Sequence, residues 1–411
     1  MTARTRTRTR TRARTRARTR ARARTAAASA LLAALVLGPL AGAAGALQPG
    51  SAQPGTAASG AVPSAGDAPA SVGPDVAALE EALTGIPDGD ISAALVRVGG
   101  KGRWTGTAGV RDLRTGAPAL ENARFRAGST TKVVTAALVL QLVAEGRVEL
   151  DAPLTRYLPG LLPDSFTEPP TVRHLLTYTS GLQPGANLGS TTEEMYPNRF
   201  RTLSPERVVA TAVAKGPAFG PGKRQKYQNI DYTVLGLLIE KVTGDRYEHQ
   251  ADVRIFRPLG MRRTGFPAGP DPRIHGPHHR AYTDIGGRTT DVTEWNMSDR
   301  WAAGNMISTT ADLERFLVAL FRGEVVPQPL LDQMLVVPDV EGDASYGMAL
   351  QRFVHNGTEI WGKTGSRPGS HTVLAATRDL SRTVVYSVNA KSAREDGFPL
   401  VARFALPAFN R

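Results

Sequence analysis

The stretch from Phe125 to Lys132, "FRAGSTTK", sets a serine three residues ahead of a lysine at the start of a long apolar run. That run, "VVTAALVLQLVAEGRV" from Val133, has helical spacing and is broken at Gly146. Residues at i and i+3 share a helix face, so the Lys132 amine can lie beside the Ser129 hydroxyl. A serine at a helix N-terminus also meets the positive end of the macrodipole. A lysine kept neutral by burial or by neighbouring cations can take the hydroxyl proton. The plainer reading is a helix cap followed by an ordinary lysine. Both readings stand at this point, although Ser-x-x-Lys occurs only once in the chain.

Two further short patterns lie downstream. Tyr-x-Asn occurs as Tyr196-Pro-Asn198 and as Tyr227-Gln-Asn229. A buried tyrosine near lysines can move protons, and an asparagine two residues on can hold a substrate amide. "YQNIDYTVLG" leads directly into a helical pattern, whereas "EEMYPNRF" is polar and carries a proline, so Tyr227 is preferred over Tyr196. Lys363-Thr364-Gly365 lies between two strand patterns. There an edge strand can offer a lysine to a substrate carboxylate, and the glycine can let a substrate backbone come close.

Around these patterns the periodicity changes along the chain. "DVAALEEAL" is helical, and "ISAALVRVGG" with "RWTGTAGVRDL" reads as two strands joined at Gly99-Gly100. "DYTVLGLLIEKVTG" and "STTADLERFLVALFRG" are the best helices of the middle, each closed by glycine. From residue 344 strands return in "SYGMALQRF", "EIWGKTG", "HTVLAATRD" and "RTVVYSVNA", with a final helix in "DGFPLVARFALPAF". Strands at both ends with helices between predict one α+β unit, an antiparallel sheet shared by the terminal segments with a mostly helical region inserted.

The net charge of +13 suggests nucleic acid until it is mapped. Residues 1–46 hold eleven Arg and no acid, which leaves 39 basic against 37 acidic residues in the rest. The folded part is near neutral, and a nucleic-acid partner is not expected. The Arg-Thr repeat runs into "TAAASALLAALVLGPLAGAAGA", a basic region, an apolar region and a small-residue end. That order reads as a secretory signal over 1–46, cut after Ala46. An uncleaved membrane anchor is the alternative, made less attractive by Pro39 and the glycines. Residues 47–73 are rich in Ala, Gly, Pro and Ser and are expected to be a disordered linker, with the domain running over 74–411. The chain has no cysteine, so disulfides and thiolate chemistry are excluded.

In order and context, Ser129-x-x-Lys132, Tyr227-x-Asn229 and Lys363-Thr364-Gly365 resemble the serine β-lactamase and penicillin-binding protein superfamily. The branch they resemble is the class C β-lactamase and secreted D-alanyl-D-alanine carboxypeptidase group. "RVELDAPLTRYLPG", "TVRHLLTYTSGL", "PLGMRRTGF" and "AAGNMISTTADLERFLVAL" look like that group's connecting segments. The resemblance implies a β-lactamase/transpeptidase-like fold and an acyl-enzyme on Ser129. It gives proton transfer to Lys132 and Tyr227 without deciding which is the base. It gives substrate binding to Asn229, Lys363, Thr364 and Gly365, and an oxyanion hole to the N–H groups of Ser129 and Ser366. It implies no cofactor and no metal, and a monomer. The first expectation is a D-alanyl-D-alanine carboxypeptidase acting on peptidoglycan stem peptides. A class C-like β-lactamase, or an esterase or D-aminopeptidase of the same fold, is the alternative. A catalytically silent binder of cell-wall or β-lactam ligands is the alternative of another class.

Two departures accompany the resemblance. Lys363 stands where many secreted carboxypeptidases of the group carry His, and Tyr178 stands where His is frequent. No Gly-x-Ser-x-Gly elbow is present. "HGPHH", His275 to His279, resembles a metal cluster but sits in a Pro- and Gly-rich loop without an acidic partner of fixed geometry. Trp295, Trp301 and Trp361 are candidates either for a cleft lining or for the core, and His174 is expected to pack within the fold.

Overall fold

The computed structural model describes residues 73–395 and 397–410. The expected signal, and the linker as far as Val72, lie outside the described residues.

Helix α1 (Val76–Leu83) starts at Asp75, whose carboxylate accepts from the Ala78 N–H at 3.0 Å. The chain then forms β1 (Ile91–Gly100), β2 (Trp104–Asp112) and the short β3 (Ala117–Pro118). The turn between β1 and β2 falls at residues 101–103, just past the expected glycine pair. Two-residue strands β4 (Phe125–Arg126) and β7 (Ile307–Ser308) pair with each other, and β5 (Tyr282–Ile285) with β6 (Arg288–Asp291) makes a separate hairpin. The late strands are β8 (Gln351–His355), β9 (Thr358–Arg367), β10 (Ser370–Thr377) and β11 (Arg382–Ala390). The main sheet runs β3-β2-β1-β11-β10-β9-β8, antiparallel throughout. β1 therefore pairs with β11, with Val96 opposite Tyr386. The terminal segments share one sheet, as the pattern predicts.

Both faces of that sheet are covered, which is why β1 reads as an unbroken apolar run rather than an alternating one. Ala94, Val96 and Val98 face the cluster that contains Leu79 of α1 and Phe404 of α6 (Phe398–Phe404). Leu95 faces the larger helical core. In that core lie α2 (Thr131–Ala144), α3 (Asn229–Thr243), α4 (Trp301–Gly304) and α5 (Thr310–Phe321). Helix α2 is apolar on all sides and is wrapped accordingly, with only its last turn reaching solvent. Helix α3 closes on Gly244 at φ +71°, the left-handed position that glycine takes without strain.

The strand expected over "SYGMALQRF" is shorter than its apolar run. Gly347 N–H bonds Leu350 O and Ala349 sits at φ +67°, so the chain turns before β8 begins at Gln351. The apolar residues Met348 to Leu350 are buried because they pack on the helical core, not because they sit in the sheet. Trp295, Trp301 and Trp361 are likewise core residues. Each of His275, His278 and His279 binds its own partner: Asp271 at 2.6 Å, Gly276 O at 2.7 Å and the Leu120 N–H at 2.8 Å. His275 therefore does have an acidic partner, on a different residue from those of its neighbours, and the three rings do not converge. His174 completes a capping box with Thr171.

Candidate active site

Ser129 lies in a single 3-10 turn, Gly128–Thr130, immediately before α2. It is not the cap of α2: the N-cap position is Thr130 and the α-helix begins at Thr131. The cap reading is therefore replaced by another: the turn is a platform that presents the serine. What holds the platform is backbone against backbone. A Cβ on Gly365 would lie 2.1 Å from Ala127 O and 3.1 Å from the Ser129 nitrogen. A Cβ on Gly128, at φ +54°, would lie 2.7 Å from the Ser366 nitrogen. The room that Gly365 leaves is thus filled by the protein's own turn, not by a substrate backbone as expected from sequence. The same contact brings the N–H groups of Ser129 and Ser366 to one place, where two donors can serve an oxyanion.

Lys132 sits on the first turn of α2 and is wholly buried. Its Nζ lies 3.2 Å from Ser129 Oγ, 2.7 Å from Asn229 Oδ1 and 2.7 Å from Ala303 O. Burial is the main force that holds its pKa well below the usual lysine value, with Lys363 and Arg300 adding repulsion and Asp231 opposing. A neutral amine has two N–H bonds and one lone pair. Asn229 Oδ1 and Ala303 O can only accept, so they take both N–H bonds. The lone pair is left facing the Ser129 hydroxyl.

Asn229 is the first residue of α3, and Tyr227 precedes it by two. The Tyr227 ring lies 5.0 Å from Lys132 Nζ and 4.7 Å from Lys363 Nζ. The ring is partly open to the cleft while its hydroxyl is buried. Burial raises the tyrosine pKa far above normal; Ser129 beside it pulls the other way, although no normal hydrogen bond reaches the phenol oxygen. Tyr227 is thus a phenol at neutral pH, a proton donor in waiting. Lys363 Nζ donates to Thr364 O at 2.9 Å and rests over Tyr346 at 5.5 Å. Burial lowers its pKa to about 7.

The structure brings together Ser129, Lys132, Tyr227, Asn229, Lys363, Thr364, Gly365 and Ser366 at the junction of α2, α3 and β9. Tyr196 is elsewhere, packed against Trp295 with the Arg199 guanidinium over its ring at 3.9 Å. Several supports escaped the sequence reading. Tyr178 is buried at φ +60°, with ring centroids 4.8, 5.2 and 5.1 Å from Tyr227, Tyr232 and Tyr346. Gln225 ties three loops together: its amide donates to Thr177 O and Tyr346 O, and its carbonyl accepts from the Ser345 and Tyr346 N–H groups. Asp231, two residues past Asn229, is buried and takes the Ser180 hydroxyl. Burial raises its pKa well above normal, against the pull of Ser180 and Lys132. A spacing of two from Asn229 at a helix start was the only sequence signal for it. Among the described residues no group of His, Cys, Asp and Glu is arranged to hold a metal, and no helix is long and apolar enough to cross a membrane.

Comparison with known proteins agrees with this geometry. The sequence model of the Beta-lactamase family matches residues 76–405, and the chain belongs to that family. It is 33% identical over 198 residues to Esterase EstB of Burkholderia gladioli, across 46% of this chain and 50% of the esterase. The chain spans about half the length of the curated relatives first matched. The fold is similar to that of a D-stereospecific amidohydrolase from Streptomyces sp., with TM-score 0.69 and 32% identity over 81% of this chain and 99% of that one. It is also similar to the D-amino acid amidase of Ochrobactrum anthropi SV3, with TM-score 0.67 and 26% identity over 82% and 98%.

Proposed function

We propose that this member of the Beta-lactamase family is a serine hydrolase that works through an acyl-enzyme and cleaves amide bonds beside D-residues, with peptides ending in D-alanyl-D-alanine as its substrates. The observation that carries the reading is the Lys132 amine, with both N–H bonds taken by Asn229 and Ala303 and its third direction on Ser129 Oγ. Lys132 accepts the Ser129 proton as Oγ bonds to the substrate carbonyl carbon, and the new oxyanion rests on the Ser129 and Ser366 N–H groups. The C–N bond then breaks. Tyr227 gives its proton to the leaving nitrogen and is reprotonated from Lys132. Water attacks the acyl carbon as the same amine takes its proton. Lys132 then returns that proton to Ser129 Oγ as the acyl–oxygen bond breaks, which frees the acid product and restores the hydroxyl. Asn229 and Thr364 line the route, and Lys363 supplies positive charge below its pKa.

The D-stereospecific neighbours support the preference for D-residues. They also favour a second reading, release of ammonia from D-amino acid amides, which uses the same steps with a smaller leaving group. The Arg-rich start and the apolar segment behind it support export, which sets cell-wall peptides within reach.

The test is intact mass with a penicillin, alongside D-Ala release from a model D-Ala-D-Ala peptide and ammonia release from D-phenylalanine amide. A stable adduct on Ser129 with D-Ala release is expected, both lost in Ser129→Ala. Rapid β-lactam turnover would replace the carboxypeptidase by a β-lactamase, and ammonia release without D-Ala release would replace it by the amidase. No reaction with any of the three would leave the silent binder.

A further inference from the structure

The cavity over Ser129 is about 210 Å³, and besides Ser129, Asn229 and Ser366 it is lined by Arg300, Arg367 and Arg394. Two of these three guanidiniums lie against one carboxylate. Asp299, whose side chain is fully buried, lies 3.3 Å from Arg367 Nη2 and 3.4 Å from Arg300 Nε. Among the described residues, Arg394 Nη1 meets the Met195 sulfur at 3.0 Å. Arg367 is 3% exposed, and its Nε is buried without a hydrogen-bond partner. A buried guanidinium with an idle donor, inside a cluster carrying more positive than negative charge, calls for an anion.

The place of the cluster says which half of a substrate carries that anion. Lys363, Gly365 and Arg367 alternate onto one face of β9, and Gly365 is the residue packed under Ser129. At about 3.3 Å per residue, Lys363 and Arg367 lie roughly 7 Å to either side of that point. Tyr227 belongs to the Lys363 side, since its ring rests against that lysine. The leaving group departs where its proton donor stands, which is the Lys363 side. The other side is free for the acyl half. Arg394 is held over it because the Ser366 hydroxyl donates to Ala393 O, fixing the loop after β11 to β9.

We infer that Arg300, Arg367 and Arg394 form a subsite for a carboxylate on the acyl half of the substrate, set on the opposite side of Ser129 from Lys363. The inference rests on the acyl-enzyme reading and narrows its substrates to acyl groups that bear an acid a few bonds from the scissile carbonyl. Arg300 and Arg394 reach the ligand from the open side. Arg367, anchored by Asp299, forms the floor.

The test holds the leaving group constant. 4-Nitrophenyl hemisuccinate and 4-nitrophenyl butyrate release the same phenol from acyl chains of equal length, and only the first carries a carboxylate. The wild type is expected to favour the hemisuccinate at least tenfold in kcat/KM. The Arg300→Gln/Arg394→Gln double variant, which leaves the buried Arg367–Asp299 pair intact, is expected to reduce that ratio at least tenfold, through KM. The ratio of D-Ala-D-Ala acid to its C-terminal amide, where the charge is on the leaving half, should move less than threefold. Equal use of the two esters by the wild type, or a preference that survives in the double variant, overturns the subsite. So does a loss confined to the D-Ala-D-Ala pair. If the wild type hydrolyses neither ester, the acyl-enzyme reading is decided by the penicillin adduct on Ser129, and succinate binding by calorimetry decides the subsite: it must be measurable and must weaken in the double variant. Hydrolysis that persists in Ser129→Ala would break the acyl-enzyme reading alone.

Discussion

Tyr196-Pro-Asn198 and Tyr227-Gln-Asn229 spell the same pattern and live in different surroundings. At the first, the Asn198 amide donates to Leu188 O and Glu194 O, and the Arg199 guanidinium lies over the Tyr196 ring. The asparagine there is spent on its own loop. At the second, the asparagine opens a fifteen-residue helix and turns its oxygen to a buried lysine, while the tyrosine hydroxyl is buried beside Ser129 without a normal hydrogen bond. One region satisfies itself. The other keeps a proton donor unpaired and two lysines out of water, an arrangement that costs stability and is tolerated where chemistry uses it.

The sharpest way to break that contrast is at the tyrosines. Tyr227→Phe should lower kcat at least a hundredfold with D-Ala-D-Ala peptide, and Tyr196→Phe less than threefold, measured side by side at saturating substrate. Equal losses would mean the wrong tyrosine has been placed in the site. The asparagines come next. Asn229→Ala removes one of the two acceptors that orient the Lys132 lone pair and should slow acylation about thirtyfold, read as the rate of penicillin adduct formation. Asn198→Ala should leave that rate within a factor of two and lower unfolding stability by about 1 kcal/mol, the value of a local hydrogen bond pair.

The smallest effect tests the cost of the buried charge. Folding lowers the Lys363 pKa from 10.5 to about 7. Between those values the unfolded chain binds more protons than the folded one, so this lysine makes stability rise as pH rises. Its penalty is greatest below pH 7 and fades towards pH 10.5. Lys363→Met should therefore stabilise the fold by about 1 to 2 kcal/mol at pH 6 while impairing activity, with the gain shrinking by pH 10 in urea titrations. A gain that stays constant with pH would show that packing, not charge, is responsible.

Much of this was open to reading from the chain. Ser129 and Lys132 are one turn apart, so local periodicity alone sets them side by side. β1, β10 and β11 announce themselves as largely apolar runs because both sheet faces are covered. The residues that went unseen act across long separations. Tyr178, noted from sequence only as a departure from the group's pattern, meets Gln225 and Tyr346 only after the loops around α3 close, and nothing near them in the chain marks their joint role. Arg300, Arg367 and Arg394 come from three separate segments, and in a chain with this many arginines none stands out. Gly365 was noticed for the wrong reason. Sequence shows that a side chain is missing but not which atoms take the space.

The pairing of β1 with β11 has a temporal meaning. Strand β1 waits for a partner that is synthesised almost three hundred residues later. Until then one edge of β1 is open, and β9, which lays Gly365 under the serine, is itself made late. Such high sequence separation slows folding, and it means that a partly made chain holds Ser129 without its second oxyanion donor. The pair of oxyanion donors is therefore complete only once Ser366 has been made and β9 has packed on the turn that carries Ser129.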